Sequence, residues 1–225
     1  MMDRPQPVSA ELERDLLNLR RLNRFFGSHR LILKFADRWI KPGEQMAIVD
    51  LATGSGDIPR LLVDHARQIG ARVEIDAVDR QGATVEIAKK LSAEYPEVSY
   101  VAADILEWAP GRAYDSVLCS LALHHFSEAD AVRVLARCHE LSRRFVLVAD
   151  LRRSLLLTFG VYLLTALVFR EPMTRYDGRL SAARAFSFSE LGQLAKEAGW
   201  QHFGHKRFRF GRQAIWLDKI DNRRT

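Results

Sequence analysis

Four aspartates, two glycines and a pair of histidines carry the chemistry legible in this chain. Asp50, Asp79, Asp104 and Asp150 each close or follow a short apolar or alternating run: Met46–Val49, Val73–Val78, Val98–Ala102 and Phe145–Ala149. After Asp50 come Thr53, Gly54, Ser55 and Gly56, then an amphipathic stretch from Ile58 to Ile69. This order reads as strand, tight turn, helix. Glycine lets the backbone turn sharply and approach a ligand with no Cβ in the way, and a helix start presents unpaired N–H groups to whatever sits on the loop. The loop is therefore of a kind that holds nucleotide-like or carboxylate-bearing ligands. Two alternating glycines also occur in ordinary turns, so the acids at the other strand ends decide the matter. Asp79, closing the second strand with Arg80 beside it, is placed to accept hydrogen bonds from ribose hydroxyls. His124 and His125 follow the fourth strand, and an imidazole, with its pKa near neutrality, suits proton transfer. His124, His125 and Asp150 could together approach a metal, but adjacent histidines point in different directions and no metal site is expected.

The elements that position these groups alternate strand and helix. Strands are expected at Val73–Asp79, Val98–Ala102, Tyr114–Leu121 and Phe145–Ala149. Helices are expected at Gly82–Tyr95 and, capped by Ser127, at Glu128–Leu141. Such alternation implies an α/β, doubly wound parallel sheet, whose ligands lie outside the carboxyl ends of the strands. Two helices precede the glycine loop. Ser9 caps the first, about Ala10 to Phe25, with Leu12, Leu16, Leu19 and Leu22 on one face; the second runs from Arg30 to Ile40. Residues 1–40 read either as packing for the sheet or as a helical lid with Phe25, Phe26 and His29 at the hinge facing a ligand. Residues 41–225 form the main domain. Within it, an insertion at about 153–185 changes character. Ser154 to Phe169 is apolar all round, Tyr162 included, yet short of the roughly 20 residues that span a bilayer. A helix of this kind is buried, lines an apolar pocket or touches a membrane surface. Glu171 to Arg184 reads as a polar loop. Ser187 opens a last helix over Leu191–Ala198, and Trp200–Phe210 with Gln213–Asp218 form a closing hairpin.

The 225 residues, 48% hydrophobic and 28% charged, suit one well-buried domain. Two cysteines, Cys119 and Cys138, make no disulfide framework, and no apolar signal core is seen near the start. A cytoplasmic protein is expected, with contact at a membrane surface left open by the apolar run. A net charge of +6 invites anionic partners, but the basic residues are spread along the chain and a solvated basic surface accounts for most of them.

A dinucleotide-binding domain would carry a third loop glycine where this chain has Pro59. Val49–Asp57 instead resembles motif I of the class I S-adenosylmethionine (AdoMet)-dependent methyltransferases, near the ubiquinone/menaquinone methyltransferase branch. The likeness continues at Asp79, at Ala103-Asp104-Ile105, at Ser120–Phe126 and at Ser187–Gly199, covering about residues 40–218. One departure is Ala52, where that family has its first loop glycine. The resemblance implies a seven-stranded sheet with its last strand antiparallel. It also implies AdoMet as cofactor: Gly54 and Gly56 under its methionine and ribose parts with Asp50 and Thr53 beside them, and Asp79 on the ribose. Asp104 would accept from the adenine amino group with Ile105 on the ring, and Ser120 would lie by the methionine.

Methyl transfer needs alignment above all, and a phenol or carbon acid must also lose a proton. His124 or His125 would be the base. The stretches Leu22–Gly27 and Asp177–Phe186 further resemble a bacterial small-molecule subgroup linked with type III polyketide pathways. That implies O-methylation of an aromatic or quinone-like acceptor with an apolar tail; C-methylation of a quinone precursor is the nearest alternative. An RNA or protein methyltransferase is suggested by His205–Arg209, but no Asn/Asp-Pro-Pro-aromatic motif follows strand 4 and no RNA-binding module is visible. A non-catalytic AdoMet-binding protein fits the loop equally well. The oligomeric state is not legible.

Overall fold

The computed structural model describes residues 7–154 and 179–219. Two helices come first, α1 (Ala10–Phe25) and α2 (Ser28–Trp39). The chain then alternates: β1 (Gln45–Leu51), α3 (Asp57–Ile69), β2 (Arg72–Asp79), α4 (Gly82–Leu91), β3 (Val98–Ala102), β4 (Tyr114–Ser120), a single 3₁₀ turn (Leu123–His125), α5 (Glu128–Leu141) and β5 (Ser142–Leu151). It closes with α6 (Phe188–Glu197), β6 (Gly204–Phe208) and β7 (Arg212–Asp218). The strands form one seven-stranded sheet in the order β3-β2-β1-β4-β5-β7-β6. β1 to β5 run parallel, and β7 runs antiparallel to both β5 and β6. The expected seven-stranded α/β sheet with an antiparallel last strand is therefore what forms.

Period-2 alternation sorts each central strand between two cores. Val49, Val117 and Val146 face one side, where α5 and α6 cover them through Leu135, Cys138, Leu191 and Leu194. Ile48, Leu118 and Leu147 face the other, against Ile32 and Phe35 of α2 and Leu62 and Val63 of α3. Such two-sided burial is why these strands read as continuous apolar runs. α2 thus belongs to the core. α1 packs more sparsely, setting Leu12 and Leu16 on Ile87 of α4.

Local signals end the helices where expected. Ser9 accepts from the Leu12 N–H (3.1 Å), Ser127 from Asp130 (3.2 Å), and Ser187 with Glu190 makes a reciprocal capping box. Residues 179–184 are helical rather than loop. The polarity that suggested a loop there is that of a half-solvated helix, since Ala182 is buried. β5 exceeds the expected Phe145–Ala149 because β7 pairs with it from Phe145 to Leu151. The apolar run over 155–169, with Tyr162, and the start of the expected loop, 171–178, lie outside the described residues. Both cysteines are buried free thiols, and burial pushes Cys138 up to about 12.

Candidate active site

β1 has β2 on one side and β4 on the other. The crossovers leave it in opposite directions, which opens a crevice at the carboxyl ends of these strands. The glycine loop fills the mouth of that crevice. Ala52, Gly54 and Gly56 all adopt left-handed backbone, with φ of 57°, 55° and 70°. Ala52 takes a conformation that favours glycine, the residue that the resemblance led one to expect there. The loop is pinned by Thr53 N–H to Val78 C=O (3.0 Å) and by the Thr53 hydroxyl donating to Asp50 (2.6 Å). A Cβ on Gly54 would meet nothing within 4 Å, so a ligand has room to lie on the backbone. Gly56 caps the start of α3, and a Cβ there would meet the Tyr100 hydroxyl at 2.1 Å, so packing also demands a glycine at this position.

Asp79 bridges this loop and α4. One carboxylate oxygen accepts from Gly54 N–H (2.9 Å) and the other from Gln81 N–H (2.9 Å). Each carboxylate oxygen can accept a second bond, and burial raises the pKa of the group. Asp50 is more deeply buried, and burial lifts it to about 7, so an arriving cation would favour its ionised form. Asp104 accepts from Leu106 N–H (2.9 Å) beside the buried Ile105. The Ser120 hydroxyl at the end of β4 is buried and has no partner among the described residues. These groups line one cleft of about 570 Å³, together with Arg80.

Three groups of expected site residues fall elsewhere. His124 does not line the cleft. Its ring Nδ1 and its backbone N–H both bond the buried Asp150, at 2.7 and 2.9 Å. Phe25 is 76% exposed and Phe26 packs edge-on to Phe210, so neither faces the cleft, because the end of α1 turns them outward. His29 reaches the site only through Asp57, bonding its carboxylate at 2.8 Å. His125, the other member of the pair, does line the cleft and is exposed at its mouth. Leu121 beside it holds φ 55°, a strained value for a leucine and of a kind that concentrates at functional sites.

The cleft has walls that the motifs did not name. Leu16, Leu19, Arg20 and Asn23 of α1 form one; Asp130 and Arg133 of α5 lie on another. The α1 residues recur at helical spacing, so one stripe of Leu16, Leu19, Arg20 and Asn23 was present in the sequence, polar at its far end. Among the described residues Arg20 makes no ion pair, whereas Arg133 is paired with Asp130 (2.9 Å). Beneath the loop, Arg60 donates to Ser55 C=O (2.9 Å) and to the Ser92 hydroxyl (2.7 Å). Burial lowers the Arg60 pKa, and the nearby Arg20 charge lowers it further.

Residues 48–144 match the family described as methyltransferase domain. This segment is similar in sequence to that domain. It holds the glycine loop, Asp79, Asp104, Ser120 and both histidines. A 2-phytyl-1,4-naphtoquinone methyltransferase of Trichormus variabilis is 34% identical over 112 residues, 48% of this chain and 43% of that enzyme. The namesake from Thermosynechococcus vestitus is 31% identical over 81 residues, 36% and 35% of the two chains. The matches thus span less than half of these relatives' length. Among solved structures, a SAM-dependent methyltransferase from Aquifex aeolicus superposes with a TM-score of 0.63 at 15% identity, covering 91% of this chain and 96% of that one. The fold is that of the class I AdoMet-dependent methyltransferases.

Its residues fit that cofactor. The open space over Gly54, the spare acceptor capacity of Asp79 and the orphaned Ser120 hydroxyl match a ligand with a ribose diol and polar methionine atoms. No group of three metal-binding side chains occurs among the described residues.

Proposed function

We propose that this chain transfers a methyl group from AdoMet to a small apolar acceptor, aromatic or quinone-like, with a hydroxyl oxygen as the favoured target. The observation that carries the reading is Asp79. Its two oxygens are each held by one backbone N–H at the lip of an open glycine loop, which is the arrangement a ribose diol requires. When bound, AdoMet supplies a methyl group already activated by the sulfonium. The chain's part is alignment, exclusion of water and one proton transfer. Gly54, Asp79, Asp104, Ile105 and Ser120 hold the cofactor. Leu16 and Leu19 offer an apolar wall to the acceptor, and α1 acts as the lid while α2 stays in the core. His125 takes the hydroxyl proton as the oxygen attacks the methyl, and the imidazolium so formed returns its proton to solvent.

The quinone-like acceptor rests on the relatives, which are named for a phytyl-bearing naphthoquinone. An acceptor of that apolarity is met at a membrane surface, and no helix among the described residues is long and apolar enough to cross one. The test is transfer of labelled methyl from AdoMet to a panel of phenols and quinols with and without alkyl tails, the product's methylated atom being read by NMR. Tailed phenols or quinols should be the better substrates and carry the label on oxygen. Label on no member of the panel would refute the reading.

A second expectation concerns Arg20. AdoMet brings a carboxylate into a cleft lined by Asp50, Asp57, Asp79, Asp104, Glu107 and Asp130, and of the lining arginines we assign the carboxylate to Arg20, which makes no ion pair among the described residues. Arg20→Gln should weaken S-adenosylhomocysteine binding roughly 10–100-fold, the range for a hydrogen bond to a charged group. Binding of the decarboxylated analogue should hardly change. Equal losses for both ligands in calorimetry would take the carboxylate away from Arg20.

A further inference from the structure

Two distant stretches of the chain are free of carboxylates. Residues 20–36 contain five Arg or Lys and no Asp or Glu, and residues 198–217 contain four and none. The fold brings these stretches together. The Phe26 ring lies 5.8 Å from Phe210 in the β6–β7 turn, and the Lys34 ammonium sits 5.8 Å from the Phe208 ring. Of the nine cations, Arg20 lines the cleft and Arg212 is buried. The other seven, among them Arg24, Lys34, Lys206 and Arg209, are exposed.

In the middle of this basic surface stand bare aromatic rings. Phe25 is 76% exposed and Phe210 is 49% exposed. Phe25 packs edge-on to Phe26 at 5.2 Å, and Phe26 in turn on Phe210, so the three make one cluster. Phe210 also holds φ 56° in its turn, just before Gly211 at 63°. Asparagine or glycine takes that conformation readily, and a bulky aromatic there stores strain. β6 is an edge strand, and lysine or arginine on an edge strand deters pairing with other sheets. That accounts for Lys206 and Arg207 but not for Arg209 in the turn, for a strained, half-exposed phenylalanine beside it, or for a second phenylalanine at the end of α1.

We propose that this surface docks the protein on an anionic lipid bilayer, with Phe25 and Phe210 entering the interface and the surrounding arginines and lysines meeting lipid phosphates. Charge complementarity selects an anionic partner. The aromatic arrangement selects a bilayer over a nucleic acid. Single-stranded nucleic acids stack on rings spread over a sheet, whereas these rings crowd edge-on at the tips of a helix and a hairpin, forming a wedge rather than a stacking platform. The surface supplies a route by which an apolar acceptor reaches the cleft, and in that purpose alone it rests on the function proposed above. Docking itself is measured with neither cofactor nor acceptor.

The test is co-sedimentation of the full chain with vesicles of phosphatidylcholine alone or with about 30% phosphatidylglycerol. The protein should bind the anionic vesicles and not the neutral ones, and binding should weaken about tenfold or more at about 0.5 M salt, where screening is short-ranged. The pair Phe25→Ser and Phe210→Asn should weaken binding about tenfold at low salt, while the melting temperature holds or rises because asparagine suits the turn. Should that pair fail to fold, Lys206→Glu with Arg209→Glu, on an exposed edge, should abolish binding in a folded protein. Equal binding to both kinds of vesicle, or binding unchanged by both sets of substitutions, would overturn the proposal. So would binding to polyuridylate without binding to vesicles, which would give the surface to RNA.

Discussion

His125→Ala is expected to lower turnover roughly 10²–10⁴-fold while leaving AdoMet affinity nearly intact, the range for loss of a positioned general base. His125 lies at the mouth of the cleft, on the 3₁₀ turn that follows β4. A phenolic acceptor titrates near pH 10 and is almost fully protonated at neutrality, so the base matters most there. As pH rises toward the phenol's own pKa, more acceptor ionises unaided and the ratio of wild-type to mutant rate should shrink. A ratio that stays flat across pH would count against the base even if the mutant is slow. The neighbouring substitution behaves differently. His124 is 3% exposed and bonded twice to Asp150, itself 2% exposed. His124→Ala leaves a buried carboxylate short of a donor and should cost about 1–3 kcal/mol of stability, read as a lower melting temperature. Together the two variants test whether the adjacent histidines divide a chemical role from a structural one.

Asp79→Ala should weaken cofactor binding by about 1.5–3 kcal/mol, the worth of hydrogen bonds to a charged group. Calorimetry with S-adenosylhomocysteine measures it. Because Asp79 also accepts from Gly54 N–H and Gln81 N–H, the alanine variant loosens the loop as well as removing the ribose acceptor. Asp79→Asn separates these effects. It keeps an oxygen for one backbone donor and the shape of the turn, yet turns a ribose acceptor into a donor. Both variants should lose affinity. Unchanged affinity in folded Asp79→Asn and Asp79→Ala would remove the ribose from this carboxylate.

The frame of this site was written plainly in the chain because its signals are local. Asp50, Asp79 and Asp104 are found at strand ends by counting along apolar runs, and serine caps place α1, α5 and α6 to within a few residues. The alanine at position 52 even marks a conformational demand, since it holds φ 57°, a value that favours glycine. What the chain concealed depends on direction rather than position. Sequence pairs His124 with His125, but one tight turn sends the first ring into the core and leaves the second at the cleft. Phe25 and Phe26 look like pocket residues by type, yet the helix end rotates them toward β6–β7. Gly56 and Tyr100 are far apart in sequence, and only the parallel sheet brings the tyrosine over the glycine. The α1 stripe of Leu16, Leu19, Arg20 and Asn23 was visible as a periodicity. Reading it as apolar packing through Leu12 and Leu22 hid the polar members that line the cleft.

The central claim is that AdoMet occupies the crevice at the carboxyl ends of β1, β2 and β4. A crystal of the full chain soaked with S-adenosylhomocysteine tests it most directly. The account predicts density with the ribose hydroxyls on Asp79, the adenine between Asp104 and Ile105, and the thioether sulfur directed toward Ser120 and the mouth where His125 stands. Density for the ligand at any other place on the protein, or a cleft that stays empty at saturating ligand, would contradict it.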